Sequence, residues 1–188
     1  MSSTFRIPRK ELSGLYGRAI AWYARRTFGQ VPDSAYVLAH HRPAMRAMFG
    51  LEMKVARWKA LDPTLKTLAE MATAAAVGCS WCLDFGYFLS REDGLDPRKV
   101  SQVPRWRDAD VYTELERDVM AYAEAVTATP PTVTDEMVAA LLARLGAPAL
   151  VELTEMVAVE NMRSRSFSAA GVRSQGYSDV CELPLASS

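Results

Sequence analysis

The stretch that decides the fold is residues 65–86, which read LKTLAEMATAAAVGCSWCLDFG. It contains no alternating or β-branched run, and its apolar residues recur every three to four positions, as they do along nearly the whole chain. Just before it, Asp62 and Pro63 form a helix start, because Asp accepts hydrogen bonds from free backbone N–H groups and Pro needs no donor there. We therefore predict a helix from Pro63 to about Val77, an interruption at Gly78 and an all-α fold.

Outward from this helix, the same spacing predicts a single all-helical domain over residues 1–188, with seven or eight helices and a core motif at about 60–100. Thr113 and Glu116 form a capping box, and Thr134 caps the helix after it. Residues 96–106 are predicted to be a connector, and residues from about 172 to 188 an irregular polar tail. The remaining predicted helices cover residues 9–28, 31–42, 43–58, 79–94, 113–127, 134–146 and 148–170.

Composition excludes several classes of function for this chain of 188 residues and 20.8 kDa. It is 49% hydrophobic and carries 22 basic and 22 acidic side chains, which argues against a disordered protein and against a nucleic-acid partner. No apolar run of about 18 residues is present, so no membrane partner is expected. The first ten residues lack the apolar core of a signal peptide, and we expect a cytoplasmic protein.

Cys79 and Cys82 carry the most informative pattern in the chain. Two cysteines three positions apart at the start of a helix lie on one face and can close a small disulfide ring. The free N–H groups there favour the thiolate, which attacks peroxides and disulfides, so we predict redox chemistry. Two alternatives stay open: two inert buried thiols, or half of a zinc site completed by residues such as Cys181, His40 or His41.

Residues 65–86 resemble the core of the carboxymuconolactone decarboxylase family, and the Cys-x-x-Cys pattern places them nearer its AhpD-like alkylhydroperoxidase branch. The resemblance covers about residues 60–100. It implies an all-α homo-oligomer, a trimer or hexamer, that reduces organic hydroperoxides and is itself reduced by an external dithiol of the lipoyl or thioredoxin type. It also makes Cys82 the peroxidatic thiol and Cys79 the resolving one, whereas helix position alone favours attack by Cys79. We expect no cofactor and no metal.

The proton relay of that branch is not matched here. The branch has a Glu twelve positions before the first cysteine and a His four positions after the second, where this chain has Thr67 and Gly86. Glu70 lies one turn beyond Thr67 on the predicted helix, and we predict that it serves as a catalytic group with the two cysteines. Gly86 leaves a hole where the branch has an imidazole. Asp84 is expected to complement the positive end of its helix.

The predicted activity is thus that of an alkylhydroperoxidase-like oxidoreductase, with two other interpretations kept. The missing relay favours a non-catalytic or redox-switched binding or structural member of the family. A cofactor-free lactone decarboxylase-like enzyme is the third. His40 and His41 are either catalytic or hydrogen-bonded at a helix junction. Arg163 and Arg165 either hold an anion or complement the end of their helix.

Overall fold

A computed structural model describes residues 5–178 of the chain, and within them every regular element is a helix. These residues form nine α-helices and one 3₁₀ helix. In chain order they are α1 (Gly14–Phe28), α2 (Asp33–Leu38), α3 (Arg42–Val55), α4 (Pro63–Val77), α5 (Ser80–Glu92), α6 (Pro97–Gln102), the 3₁₀ helix (Val103–Asp108), α7 (Glu114–Thr127), α8 (Asp135–Leu145) and α9 (Ala147–Ala170). No helix in this part of the chain combines the length and apolarity that crossing a membrane requires.

Helix α4 is the centre of the molecule and packs against α5, α7 and α9. Its Leu68, Ala69 and Ala72 have no exposed area, because small side chains let neighbouring helices approach closely on several sides. The Asp62 carboxylate accepts hydrogen bonds from the backbone of residues 64 and 65, and Gly78 ends the helix with a φ of 78°. The predicted bounds of this helix are therefore confirmed.

The connector predicted for residues 96–106 is wrong, since this segment is helical. Asp96 caps α6 through the backbone N–H of Arg98, with Pro97 at the first helical position. Val100 and Val103 are 1% and 0% exposed, so the segment also contributes to the core. This additional helix is why the described residues hold nine α-helices rather than seven or eight.

Most of the other predicted helix ends hold within three residues, but the second helix, predicted over residues 31–42, spans only Asp33–Leu38. The capping box of Thr113 and Glu116 is formed in both directions at the start of α7. Thr134 accepts a hydrogen bond from the backbone N–H of Met137 and so caps α8. The first helix begins later than predicted, at Gly14 instead of about residue 9.

Candidate active site

Cys79 and Cys82 lie where the central helix gives way to the next one. Cys79 is the N-cap residue of α5, its backbone N–H donates to the carbonyl of Ala74, and its sulfur accepts a hydrogen bond from the backbone N–H of Cys82 at 3.2 Å. The two residues form a disulfide with their Cα atoms 5.3 Å apart. The predicted ability of the pair to close a ring is confirmed.

The two sulfur-bearing residues differ in their access to solvent. Cys79 is 1% exposed and Cys82 is 8% exposed. An external molecule therefore meets Cys82 first, while Cys79 occupies the position where free backbone N–H groups favour a thiolate. Solvent access therefore favours Cys82 as the thiol that meets a substrate, whereas the helix N-terminus favours a thiolate at Cys79.

Aromatic side chains pack beside the pair. The Trp81 ring stacks on Phe85 with centroids 4.9 Å apart, and it contacts Phe167 of α9 edge-on at 5.0 Å. Phe85 also meets Phe28 of α1 at 5.1 Å. These rings join α5 to α1 and α9, and Tyr87, only 3% exposed, belongs to the core on the other side.

Asp84 binds the segment that follows α9, which corrects the expectation that it complements its own helix N-terminus. The carboxylate is fully buried and accepts four hydrogen bonds, from the Ser174 hydroxyl and from the backbone N–H groups of Gln175, Tyr177 and Ser178, at 2.8 to 3.1 Å. A buried carboxylate is stable when such donors replace water. Residues 174–178, hereafter the C-terminal clasp, are thereby fixed to the helix that carries the cysteines.

Gln175 extends this contact to the N-terminal part of the chain. Its side-chain oxygen accepts hydrogen bonds from the Trp81 indole N–H at 2.8 Å and from the backbone N–H of Asp33 at 2.7 Å. Its side-chain nitrogen donates to the carbonyl of Val31 at 3.3 Å. One amide therefore links Trp81, one of the two residues between the cysteines, to the loop between α1 and α2.

One neighbouring side chain borders the space that Gly86 leaves open. A Cβ atom at Gly86 would lie 3.4 Å from Cγ of Met71, a residue of α4 that is 2% exposed. The hole predicted at Gly86 is thus lined by a thioether. An imidazole there would require Met71 to move.

Glu70 lies in a cluster of charged residues built around Arg163 of α9. The guanidinium binds both carboxylate oxygens of Glu52 at 2.6 and 2.9 Å, and one nitrogen donates to Glu70 at 2.8 Å and to Glu160 at 3.2 Å. We call Glu52, Glu70, Glu160 and Arg163 the acidic cluster. Arg163 is therefore engaged by three carboxylates, so neither of the two roles considered for it, holding an external anion or complementing the end of its helix, is the one that the structure shows.

Sequence reasoning missed two residues of the acidic cluster, Glu52 and Glu160, and the more buried of them is Glu160. It is 5% exposed and also accepts a hydrogen bond from the Ser164 hydroxyl at 2.6 Å. Burial raises its pKa to about 7 against the opposing charge of Arg163, and the charge of Glu70 adds to the rise. Burial also raises the pKa of Glu70. The sequence signal was the group of polar residues at 160, 161 and 163–165 of α9, interrupted by Met162.

The two histidines are engaged away from the cysteines. His40 donates from Nε2 to the carbonyl of Pro8 at 2.7 Å, and His41 accepts the backbone N–H of Ala44 and caps α3. Residues 5–178 contain no group of three or more His, Cys, Asp or Glu side chains placed to hold a metal ion. Cys181, the other ligand considered for zinc, lies outside the described residues.

These features define an all-helical protein with a redox-capable cysteine pair at a helix start. Residues 42–125 match the model of the carboxymuconolactone decarboxylase family. The Escherichia coli K12 protein YnjA, itself uncharacterized, is 33% identical over 124 residues, which are 66% of each chain. The chain belongs to the carboxymuconolactone decarboxylase family, and solved structures with an AhpD-like core share its fold.

Three solved structures illustrate the shared fold. A peroxidase-related protein with an AhpD core from Ralstonia eutropha JMP134 superposes with a TM-score of 0.82 at 21% identity, over 94% of this chain and 96% of its own. An AhpD-like protein of unknown function from Agrobacterium tumefaciens gives 0.68 at 25% identity, over 73% and 94%. The debrominase Bmp8 gives 0.74 at 19% identity, over 85% and 86%.

Proposed function

We propose that the protein is a thiol-dependent oxidoreductase that reduces organic hydroperoxides through Cys82 and Cys79. The observation that carries the proposal is the disulfide at the N-terminus of α5, with Cys79 as N-cap. Membership of a family whose structural relatives include peroxidase-related proteins supports it. A cycle that depends on a reduced pair fits a reducing compartment, and we therefore place the protein in the cytoplasm.

In the proposed cycle the more exposed Cys82 attacks first. Its thiolate binds the outer oxygen of the hydroperoxide, the O–O bond breaks, and the products are a sulfenic acid on Cys82 and an alkoxide that takes up a proton to become an alcohol. The Cys79 thiolate then attacks the Cys82 sulfur, and hydroxide leaves and takes up a proton to become water as the disulfide closes. An external dithiol, of the lipoyl or thioredoxin type, returns two electrons and two protons to the pair.

The acidic cluster is the proposed source of the proton. Glu160 holds a proton near neutral pH because its pKa is about 7, and Glu70 shares the same arginine. On α9, Glu160 lies two turns from Phe167, whose ring contacts Trp81 between the cysteines. We propose Glu70 as the catalytic residue that passes this proton toward the leaving alkoxide, in place of the relay missing at Thr67 and Gly86.

Stopped-flow reaction of the reduced protein with cumene hydroperoxide tests the proposal. We expect two thiols per chain to be lost and sulfenic acid to be trapped on Cys82 in the Cys79→Ser variant. Cys82→Ser should not react faster than free cysteine, whereas Cys181→Ser, the matched control, should react as wild type does. If all four proteins react no faster than free cysteine, the peroxidase proposal is wrong.

A comparison of two glutamine variants tests the role of Glu70. Glu70→Gln should lower the rate roughly 10²-fold, the usual contribution of a general acid, without changing the number of titratable thiols. Glu52→Gln removes another carboxylate from Arg163 but should leave the rate within a factor of two of wild type, because Glu52 is 42% exposed on the outer side of the cluster. Equal rates for both variants would remove Glu70 from the mechanism.

A second function, a redox-switched binding protein, is favoured by one observation. Gly86 has no side chain where the peroxidase branch places its imidazole, and the only side chain of the described residues that an added Cβ would contact is the apolar Met71, so the proton relay of that branch is absent here. A pair that forms its disulfide readily but shows no turnover with hydroperoxide and dithiol would support this function. The structural likeness to Bmp8 makes halide removal from a halogenated substrate a further assay on the same protein.

We also propose that the protein is a homo-oligomer, a trimer or hexamer, joined through α1 and α3. These neighbouring helices expose large apolar side chains, and Arg46 of α3 lies over the Tyr16 ring of α1 at 5.5 Å. Leu15 and Trp22 are 87% and 68% exposed. Contiguous apolar surface of this kind is typical of subunit contacts. Sedimentation should show dissociation for Trp22→Glu and no change for Leu142→Glu on α8.

A further inference from the structure

A polar cleft lies between the N-terminal helices and the C-terminal clasp. Its volume is about 420 Å³, which is within the range of small-molecule sites. The residues that line it come from four parts of the chain: Arg9, Arg25, Gly29, Gln30, Val31, Asp33, Tyr36, Ser174 and Gln175. None of them belongs to the cysteine pair or to the acidic cluster.

The charges in the cleft leave one cation without a partner. Arg9 forms an ion pair with Asp33 at 3.4 Å, and its guanidinium lies 4.1 Å from the centre of the Tyr36 ring. These contacts hold Arg9 in place and neutralise Asp33. Arg25 has no ion pair or side-chain hydrogen bond with any residue of the described range, so the cleft carries an excess positive charge at its guanidinium.

We propose that this cleft binds a small polar molecule through a carboxylate group held by Arg25. A planar guanidinium matches the two oxygens of a carboxylate, which makes such a pair both strong and directional. The polar side chains of Gln30, Tyr36 and Ser174 favour a ligand with further polar groups over a hydrocarbon acid. This inference concerns binding and does not depend on the proposed peroxidase activity.

Binding in the cleft is linked to the redox helix through Gln175. This residue lines the cleft, and its side-chain oxygen accepts the hydrogen bond from the Trp81 indole. A ligand that contacts Gln175 changes the environment of that indole N–H, which belongs to the residue just before Cys82. The indole signal therefore reports occupancy of the cleft without any measurement of activity.

The test is a titration of the oxidised full-length protein followed by ¹H–¹⁵N NMR. The probe is succinate, and succinamide is its uncharged counterpart of the same size. We expect succinate to shift the Trp81 indole and Gln175 side-chain signals in a saturable manner with a millimolar dissociation constant, weakened by added salt. Succinamide should bind at least roughly tenfold more weakly, since it lacks the charge-assisted hydrogen bonds.

Two arginine variants on one helix decide whether Arg25 is the anchor. Arg25→Gln should weaken succinate binding roughly tenfold or more. Arg26→Gln is the matched control, because Arg26 is an exposed neighbour that does not line the cleft, and it should bind as wild type does. The proposal is overturned if succinate shifts neither signal, if succinamide binds equally well, or if Arg25→Gln retains wild-type affinity.

Discussion

Replacing Asp84 by Asn should release the C-terminal clasp from the helix that carries the cysteines. The Asn side chain is of the same size but has one oxygen and no charge, while the clasp presents four donors to the carboxylate. Hydrogen bonds to a charged group contribute about 1.5–3 kcal/mol each and neutral ones about 0.5–1.5. If the Asn oxygen keeps the three contacts of Oδ2, the loss is about 1 kcal/mol at each of them.

The fourth contact adds to this loss. The amide NH₂ would face the backbone N–H of Ser178, which now donates to Oδ1 at 2.8 Å. Two donors facing each other remove that hydrogen bond, at a cost of about 1–3 kcal/mol. The total destabilisation of the clasp is therefore about 4–6 kcal/mol.

Hydrogen exchange at the backbone amides of Gln175 and Tyr177 measures this directly. A destabilisation of about 4 kcal/mol raises the open population by roughly 10³-fold if the clasp opens locally. We expect both amides to exchange at least roughly 10²-fold faster in Asp84→Asn. Asp93→Asn, at the exposed end of the same helix, is the matched control and should exchange as wild type does. Unchanged protection in Asp84→Asn would refute the assignment of the clasp to this carboxylate.

Three further predictions concern stability. The pKa of Glu160 is raised from 4.5 to about 7, so the native state keeps a proton that the unfolded chain has lost in this interval. The free energy of unfolding should therefore fall as pH rises from 4.5 to 7, and Glu160→Gln should reduce that slope by up to about 1.4 kcal/mol per pH unit. Thr113→Ala removes the capping box of α7 and should lower the free energy of unfolding by about 1 kcal/mol. Gly86→Ala should stabilise the protein by roughly 0.5–1 kcal/mol through helix propensity, since the added Cβ meets Met71 at an ordinary 3.4 Å, whereas Gly86→His should destabilise it.

Urea unfolding measures all three. Parallel pH profiles for wild type and Glu160→Gln would contradict the assigned titration. For the cap, Thr113→Ser should retain the stability that Thr113→Ala loses, and equal losses would rule out the hydroxyl as the cause. For Gly86, the test is the double variant with Met71→Ala: it should tolerate His better than the single variant does, and an equal loss would show that Met71 does not limit the space.

The parts of the fold that the sequence predicts are those encoded by neighbouring residues. Asp62 and Pro63 start α4, Thr113 and Glu116 start α7, and each signal lies within a few positions of the helix that it begins. The same signal is present at residues 96 and 97, but α6 is only six residues long and lacks the apolar repeat of the longer helices. The cysteine pair could likewise be recognised from the sequence, because Cys79 and Cys82 are only three positions apart.

The parts that escape prediction depend on residues far apart in the chain. Asp84 meets donors about ninety positions away, and nothing near it in sequence indicates that the clasp will reach it. Met71 covers Gly86 only because α4 and α5 pack side by side. The burial that raises the pKa of Glu160 likewise arises from packing and has no local signature.

The charged contacts of α9 determine how much of the chain can fold alone. The family model matches residues 42–125, a segment that ends before α9 begins. A fragment of that length would keep Lys66 and Glu70 on α4 but lose their partners Glu152 and Arg163, and it would expose the apolar face on which α9 packs. The segment that matches the family model, residues 42–125, is thus shorter than the smallest fragment that we expect to fold. Such a fragment should extend at least to Ala170, the last residue of α9.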